Sequence, residues 1–243
     1  MFESTTTVGG KTYFRSSLLH RLGVRHAFTS RHWNVKSLDD VRGVTSDLGW
    51  SGRGEVADIV ISRQVHGGDV SQPGARLACA DGHVTDQPGE VLAVRTADCV
   101  PVLLATQDGR AVAAVHAGWR GLTPQTAVIG RAVAAVRQLA SPAAALTAAI
   151  GPCISGRRYE VGPEVAELFQ PDYPQAITTP PAGRPFLDVR AVAAAQLLEA
   201  GVDPAQLDVS PACTFDDLDH AFSFRREGKG VGHLAALITP RQP

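Results

Sequence analysis

Cysteine is scarce in this 243-residue sequence, and its four copies lie far apart. Cys79, Cys99, Cys153 and Cys213 form no C-x-x-C pair. A secreted domain stabilised by disulfides has a denser and more regular cysteine pattern. The pattern therefore indicates a reducing compartment, and we expect a cytoplasmic protein.

The sequence also lacks a long apolar run and a strong charge of either sign. No run approaches the ~18 apolar residues of a membrane span, and Met1 to Thr5 do not resemble the start of a signal peptide. The formal net charge is -1 at pH 7, so there is no basic field to attract nucleic acid or an anionic membrane. We therefore expect neither nucleic acid nor a membrane as a partner.

What remains is an ordinary globular composition, with 44% hydrophobic and 19% charged residues. Such a chain can bury a sizeable core. There is no internal repeat and no convincing linker, so residues 1–243 are predicted to form a single domain. Predicted strands outnumber helices and come partly in consecutive runs, which favours an α+β fold with mixed sheets.

Short runs rich in valine, leucine and isoleucine predict the buried strands. They fall at residues 12–14, 24–29, 59–61, 91–94, 100–104, 111–115, 146–150, 221–224 and 234–238. Several of these runs end in a polar residue beside a glycine or another small residue. Chemically active side chains are often placed on such loops, at the ends of rigid strands.

Helical periodicity predicts four helices. The clearest has Thr123 as N-cap and Pro124 at its first position, and it stops at Ser141. Others are predicted over 38–48, over 163–169, and after Asp188, which caps a helix that Gly201 ends. The segment 171–185 holds five prolines without periodicity and is predicted to be a surface loop that could serve as a lid.

Three residues that can bind a metal ion follow predicted strands: His66, Cys99 and His116. Cys99 and His116 are 17 residues apart, which is enough for a strand, a turn and a neighbouring strand to bring them together. One thiolate and two imidazoles would make a three-ligand zinc site that keeps its fourth position open. The alternative is structural: a hydrogen-bonded histidine at each strand end and a cysteine in the core.

The same residues also fit a Cys–His hydrolase. Cys99 would be the nucleophilic thiolate and His116 its base, with Asp98 or another carboxylate orienting the histidine. The two hypotheses differ in one property. A thiolate bound to zinc is poorly nucleophilic, whereas a free thiolate is alkylated quickly at neutral pH.

Five arginines follow predicted strand ends or lie in turns, and each could grip a phosphate or carboxylate with two parallel hydrogen bonds. They are Arg31, Arg63, Arg120, Arg225 and Arg226. The alternative for each is a solvated surface cation.

Histidine content argues against a multicopper oxidase. Such an enzyme needs about ten histidines, most of them in H-x-H pairs. This sequence has 8 histidines and no H-x-H pair.

Six motifs occur in a specific order along the chain. They are R-Q-V-H-G (63–67), T-A-D-C-V-P-V-L-L (96–104), H-A-G-W-R-G (116–121), I-G-P-C-I (150–154), Y-E-V-G (159–162) and F-S-F-R-R (222–226). Over about Val24 to Ile238 this set closely resembles the YfiH family, first described as polyphenol oxidases or "multicopper" laccase-domain proteins. That family is now understood as zinc-containing purine nucleoside phosphorylases with adenosine deaminase activity.

The resemblance implies one α+β domain with mixed β-sheets sandwiched between helices. It also implies a zinc ion, rather than copper, held by His66, Cys99 and His116. The implied substrates are phosphate and small-molecule nucleosides: adenosine, inosine, guanosine and methylthioadenosine for phosphorolysis, and adenosine for deamination. For these reactions we predict Asp98 as the proton carrier, by adjacency alone. The arginines predicted to bind phosphate are, in order, Arg31, Arg226 and Arg120.

The sequence departs from the family pattern in three loops. After Ser30-Arg31 it has His32-Trp33-Asn34-Val35 where relatives carry a Gly-Gly-Val-Ser-like segment. The approach to Thr85 is shortened to Asp81-Gly82-His83-Val84, and Val231-Gly232-His233 stands at the family's Thr-Gly-Arg. The first and third loops are expected to border the phosphate site. An alternative function comes from relatives named peptidoglycan editing factors, whose substrate would be a muropeptide precursor.

Overall fold

The computed structural model describes residues 1–50 and 58–242. The strands of this part of the chain are β1 (Phe2–Thr6), β2 (Thr12–Ser16), β3 (Arg25–Thr29), β4 (Ile59–Val60), β5 (Val70–Ser71), β6 (Gly82–Thr85), β7 (Val91–Thr96), β8 (Val100–Thr106), β9 (Val112–Ala117), β10 (Leu146–Ile150), β11 (Ile177–Thr178), β12 (Phe186–Leu187), β13 (Leu207–Val209) and β14 (Leu234–Thr239). Its helices are α1 (Ser17–Arg21), α2 (Leu38–Asp47), α3 (Val128–Leu139), α4 (Pro163–Phe169), α5 (Val189–Glu199) and α6 (Phe224–Glu227), with 3₁₀ turns at Pro174–Ala176 and Pro204–Gln206.

Two six-stranded mixed sheets form the centre of the molecule. The first sheet has the strand order β1-β2-β3-β14-β7-β4, and the second has the order β13-β10-β8-β9-β6-β5. Most neighbours are antiparallel, but β4 pairs with β7, β5 with β6 and β10 with β13 in parallel. Strands β11 and β12 form a separate two-stranded ribbon.

Side chains that alternate between the two faces of each strand divide the buried apolar residues into three clusters. In β8, Val102 and Leu104 pack towards α3 and α5, whereas Leu103 points into the core shared with the first sheet. In β7, Leu92 faces that shared core and Ala93 faces α2. Because successive side chains of a strand point to opposite faces, the chain stacks as helices, sheet, sheet and helix. The predicted α+β fold, with mixed sheets between helices, is confirmed.

Most predicted elements are present. The predicted strands at 12–14, 24–29, 59–61, 91–94, 100–104, 111–115, 146–150 and 234–238 all correspond to observed strands, and helices α2, α4 and α5 fall where periodicity placed them. Asp188 caps α5 through the amide of Ala191, and Gly201 follows the helix with φ of 83°.

Three predictions are wrong. Helix α3 begins at Val128 rather than after Thr123, because residues 123–127 form a turn that closes on the Thr123 carbonyl and Ala127, with φ of 45°, interrupts the helical backbone. The predicted strand 221–224 is absent: residues 221–223 form neither strand nor helix, and Phe224 begins a short helix, α6, which Ser223 caps. The segment 171–185 is not wholly a surface loop, since it contributes strand β11 and the buried Tyr173.

None of the helices in the described part of the chain is both long and apolar enough to cross a membrane.

Candidate metal centre

His66, Cys99 and His116 come together at one end of the two sheets. Their donor atoms all lie within 4.8 Å of one another. The two imidazole rings meet edge to face, with centroids 4.8 Å apart. His66 is exposed, Cys99 is half-buried and His116 is buried, so the cluster runs from the surface into the protein.

Strand register explains why Cys99 and His116 meet. Strands β8 and β9 form a hairpin in which Val100 pairs with Ala117 and Pro101 with His116. Cys99 directly precedes β8, so the hairpin places it beside His116, as the 17-residue separation predicted. His66 arrives from the loop after β4.

Asp81 supports this cluster from the protein interior, behind the His116 ring. Its carboxylate is fully buried and accepts four hydrogen bonds, from the His116 ring and from three consecutive backbone amides. The ring bond joins Oδ1 to Nδ1 of His116 at 2.8 Å, and the amides are those of Val65, His66 and Gly67. With Nδ1 occupied, the nitrogen that His116 can offer to a metal ion is Nε2. A carboxylate behind a ligating histidine is a common feature of metal sites.

The electrostatics of the cluster favour a thiolate. Burial raises the pKa of the Cys99 thiol, but the nearby His116 and His66 outweigh burial and bring it down to about 6. Burial lowers the pKa of His116, but the Cys99 charge and the Asp81 hydrogen bond raise it to about 9. Cys99 is therefore held as an anion, the form that binds metals and attacks electrophiles.

Backbone geometry at the cluster is unusual. Among the described residues, three non-glycine residues have positive φ, and two of them are in the site: His66 at 59° and Asp98 at 95°. Such conformations are costly and concentrate at functional sites. Gly118 leaves room for the close approach of the ligands, since a Cβ there would lie 2.7 Å from Cδ2 of His66 and 3.3 Å from Sγ of Cys99.

Asp98, the predicted proton carrier, holds loops together beside the cluster. Its Oδ1 accepts from the Thr214 hydroxyl at 2.6 Å, and its Oδ2 accepts from the Arg225 amide at 2.7 Å. The second bond reaches the first turn of α6, so Asp98 ties the Cys99 turn to that helix. Each oxygen of a carboxylate can accept a further hydrogen bond.

A cavity of about 560 Å³ opens over the cluster. Its wall includes the three donors, Asp98, the aromatic residues Trp119, Tyr159 and Phe224, and the arginines Arg95, Arg120 and Arg225. Two of the arginines lie over aromatic rings: Arg120 is 4.5 Å from the Trp119 centroid, and Arg225 is 4.8 Å from that of Tyr159. A larger groove of about 860 Å³ beside Arg110 and Arg241 contains none of the cluster residues.

The three arginines predicted to bind phosphate are not together. Arg120 lines the cavity, but Arg31 and Arg226 are absent from its described wall. Arg31 donates to the Leu218 carbonyl and lies over Phe222. Arg226 donates to the carbonyls of Thr214, Phe215 and Ala221 and pairs with Glu227, so its guanidinium is committed to the fold around α6.

Sequence reasoning missed three residues of the site: Asp81, Arg95 and His233. In the sequence, Asp81 stands out only as the start of the shortened approach to Thr85. Arg95 interrupts an otherwise apolar strand, V-L-A-V-R-T, and a charged residue in a buried strand was the available signal. His233 was noticed only as a departure from a family pattern.

The fold and the cluster define a class: an α+β two-sheet protein with a candidate metal centre beneath a cavity. The sequence profile described as multi-copper polyphenol oxidoreductase laccase matches residues 23–241. The chain therefore belongs to that family, which is the YfiH family indicated by the sequence motifs.

Relatives with curated names agree with this family. A Streptomyces coelicolor protein named purine nucleoside phosphorylase is 39% identical over 237 residues, covering 89% of this chain and 95% of the relative. A Mycobacterium tuberculosis protein with the same name is 41% identical over 184 residues, covering 74% and 71% of the two chains.

Solved structures show the same fold. YlmD from Geobacillus stearothermophilus superposes with a TM-score of 0.81 at 25% identity, over 95% of this chain and 96% of that one. A Neisseria meningitidis protein superposes with a TM-score of 0.77 at 28% identity, over 90% and 95%.

Proposed function

We propose that this protein is a zinc-dependent purine nucleoside phosphorylase that also deaminates adenosine. The observation that carries the proposal is the His66–Cys99–His116 cluster at the floor of a cavity lined by aromatic and cationic side chains. The names of the relatives support the reaction class. The described residues thus offer groups for a metal ion, a purine base and an anion in one place.

The donor set suits zinc. One thiolate and two imidazoles are three ligands of the type found in catalytic zinc sites, and the cavity leaves the fourth position open to reactants. Asp81 would hold His116 in the orientation that directs Nε2 at the ion. When bound, zinc would supply Lewis-acid polarisation and activation of water at neutral pH.

The aromatic wall suits a purine. Trp119, Tyr159 and Phe224 line the cavity, and the Phe224 side chain is exposed there although it is apolar. A purine base stacks favourably on such rings. The guanidinium groups of Arg120 and Arg225, above Trp119 and Tyr159, add positive charge close to the stacking surface.

In phosphorolysis, the bond between C1′ of the ribose and N9 of the purine breaks, and its electrons stay with N9. A phosphate oxygen forms the new bond to C1′, and the base takes up a proton. The products are ribose 1-phosphate and the free base, or the methylthio-sugar phosphate and adenine from methylthioadenosine. The protein must hold the phosphate dianion near the developing positive charge of the sugar, and arginine side chains can bind the phosphate in that position.

In deamination, water adds at C6 of adenine and ammonia leaves, giving inosine. Protons must move from the attacking water to the leaving amine. Asp98 is the carboxylate on the described cavity wall, and each of its oxygens retains a second acceptor site. We therefore propose Asp98 as the proton carrier.

A direct experiment combines metal analysis with product analysis. The purified protein is expected to contain about one zinc ion per chain. It should release free base from adenosine, inosine, guanosine or methylthioadenosine only when phosphate is present, and form inosine from adenosine without it. Cys99→Ala should lose both zinc and turnover. Cys79→Ala, which removes a cysteine outside the cluster, should keep both.

No released base, no inosine and unchanged zinc in Cys99→Ala would overturn the proposal. A protein acting on muropeptide precursors would leave these nucleosides intact and show turnover with such precursors instead.

A Cys–His hydrolase remains a second candidate, because the lowered pKa of Cys99 and the Cys99–His116–Asp81 chain also suit a nucleophilic thiol. The position of His66 favours zinc, since a nucleophile needs no third donor within 4.8 Å. Iodoacetamide labelling separates the two candidates. Zinc should protect Cys99 while supporting turnover, whereas a hydrolase would be active with zinc removed and Cys99 labelled in that active form.

A further inference from the structure

We propose that Arg95 and His233 form the subsite for the phosphate co-substrate, a tetrahedral oxyanion, in the cavity above the cluster. This inference rests on the proposed function and specifies where its second substrate binds. Arg95 is not among the residues predicted for phosphate, whereas His233 lies in the loop 231–233 that is expected to border that site. Both line the cavity in which His66, Cys99 and His116 lie.

Two polar atoms in this part of the cavity wall have no partner. Nε of Arg95 and Nδ1 of His233 are buried and make no hydrogen bond within the described residues. Buried polar atoms are nearly always hydrogen-bonded, and leaving them unpaired is costly. Both atoms belong to residues that line one cavity, and an oxyanion seated there would satisfy them once the two side chains turn slightly towards it, since neither atom is exposed as the structure stands.

Strand pairing holds the two residues close together. Arg95 pairs with Ala235 across β7 and β14, and His233 lies two residues before Ala235, on the same face of the sheet. Diagonal neighbours of this kind are within reach of long side chains. Their side chains can therefore converge on one small ligand.

Both residues are also fixed in place. Gln64 exchanges two hydrogen bonds with the backbone of Arg95, and Nη1 of Arg95 donates to the Lys36 carbonyl at 2.6 Å. The backbone of His233 is bonded to Asn34 and Val35. A guanidinium held in this way binds an anion at a lower cost of ordering than a free arginine side chain.

The charge around the pair favours an anion. Burial, together with the charges of Arg95 and Lys36, lowers the pKa of His233, so its imidazole is neutral at pH 7 and donates through one N–H. The described cavity wall carries two anionic groups, the Asp98 carboxylate and the Cys99 thiolate, against the guanidinium groups of Arg95, Arg120 and Arg225. Guanidinium is the side chain best matched to a phosphate.

The other arginines of the wall have different partners. Arg120 and Arg225 lie over Trp119 and Tyr159, and Nη1 of Arg225 also donates to the Glu160 carbonyl. That arrangement places them at the surface suited to the base. Arg95 is the cavity arginine with a buried, unpaired N–H.

The test measures phosphate and nucleoside dependence separately. In the zinc-loaded full chain, Arg95→Gln should raise the KM for phosphate about 10- to 100-fold, the effect of losing a charged hydrogen bond. The KM for inosine and the zinc content should stay within about twofold of the wild type, because uniform binding of one substrate is what is lost. His233→Gln should raise the phosphate KM by a smaller factor, about three- to tenfold.

Two controls make the comparison specific. Arg42→Gln removes an exposed arginine on α2 that pairs only with Asp39 among the described residues, and it should change neither KM. Arg120→Gln removes a cavity cation from the aromatic wall. It should affect the KM for inosine more than the KM for phosphate.

Calorimetric titration with inorganic phosphate gives a readout that does not depend on nucleoside turnover. Phosphate should bind the wild type at least tenfold more tightly than Arg95→Gln. If no nucleoside reacts but phosphate binding still depends on Arg95, the anion subsite stands and the proposed function falls. If nucleosides react but Arg95→Gln and His233→Gln leave phosphate KM and Kd within twofold, or if Arg120→Gln alone raises them, the subsite is overturned.

Discussion

Asp81 shows how one buried side chain can organise a site without facing the reactants. Its two oxygens join the loop carrying His66 to the ring of His116, so two of the three donors share one support. Three amides and an imidazole stabilise its negative charge, and they hold its pKa below the usual range although burial opposes this. Removal of this charge should loosen both the loop that carries His66 and the ring of His116.

We expect Asp81→Asn to weaken zinc binding about 10- to 100-fold, because an amide cannot accept the His116 N–H and three backbone amides equally well. Competition with a chromophoric chelator measures this affinity. Asp69→Asn is the matched control: it removes an exposed carboxylate on the neighbouring loop and should leave zinc affinity unchanged. Equal affinities for the two variants would mean that Asp81 does not support the metal.

At the scale of elements, the β8–β9 hairpin and the end of β7 position the chemistry. The hairpin could be anticipated from the sequence, because two apolar runs separated by a turn pair locally and their register follows from the turn. The start of α3 could not, since the turn on the Thr123 carbonyl and the positive φ of Ala127 depend on how the loop 118–127 folds back. Helix α6 was missed because a four-residue helix has almost no periodicity.

Two glycines, one packed against other side chains and one not, allow a direct comparison of how an added methyl group changes stability. Gly151 follows β10, where an added Cβ would lie 2.2 Å from Cδ1 of Phe28 and 2.9 Å from Cγ of Pro101. We expect Gly151→Ala to destabilise the protein by about 1–3 kcal/mol through overpacking. Gly130 lies within α3, and beyond its chain neighbours and the helix's own backbone no atom comes within 4 Å of its Cβ position, so Gly130→Ala should stabilise by about 1 kcal/mol.

Urea denaturation of both variants, with the wild type alongside, measures these free energies of unfolding. Similar values for the two variants would contradict the packing described for Gly151.

At the scale of the whole molecule, the stacked sheets bury polar groups that must remain neutral. His26, in β3, is almost fully buried; its Nε2 accepts from the Ser16 amide, and its Nδ1 donates to the Val24 carbonyl. Burial lowers its pKa to about 4 from the ordinary 6.5. A proton can be added to this ring only at the expense of the Ser16 bond, so the fold excludes it.

We therefore expect His26 to make the fold sensitive to acid. Between pH 6.5 and 4 the unfolded chain binds the proton and the folded chain does not, so this contribution is fully present above pH 6.5 and is lost as pH falls towards 4. At pH 5 the loss should be about 2 kcal/mol relative to pH 7.5. Gln in place of His26 keeps an acceptor for Ser16 but does not titrate.

The measurement is the difference in free energy of unfolding between wild type and His26→Gln at pH 5 and pH 7.5. The wild type should lose stability relative to the variant on acidification. A difference that does not change with pH would mean that His26 is protonated equally in the folded and unfolded chains.

By itself, the sequence determined the strand pattern, the α+β class, the family motifs and the three donors at strand ends, because these depend on side-chain periodicity and on pairing between neighbouring segments. Only the tertiary structure decided that Asp81 lies behind His116, that Arg95 and His233 line the cavity, and that Arg31 and Arg226 bind backbone carbonyls away from it. The reason is physical: which cation faces a cavity depends on the register between β7 and β14 and on the stacking of two sheets. Those contacts join residues far apart in the chain, and no local pattern records them.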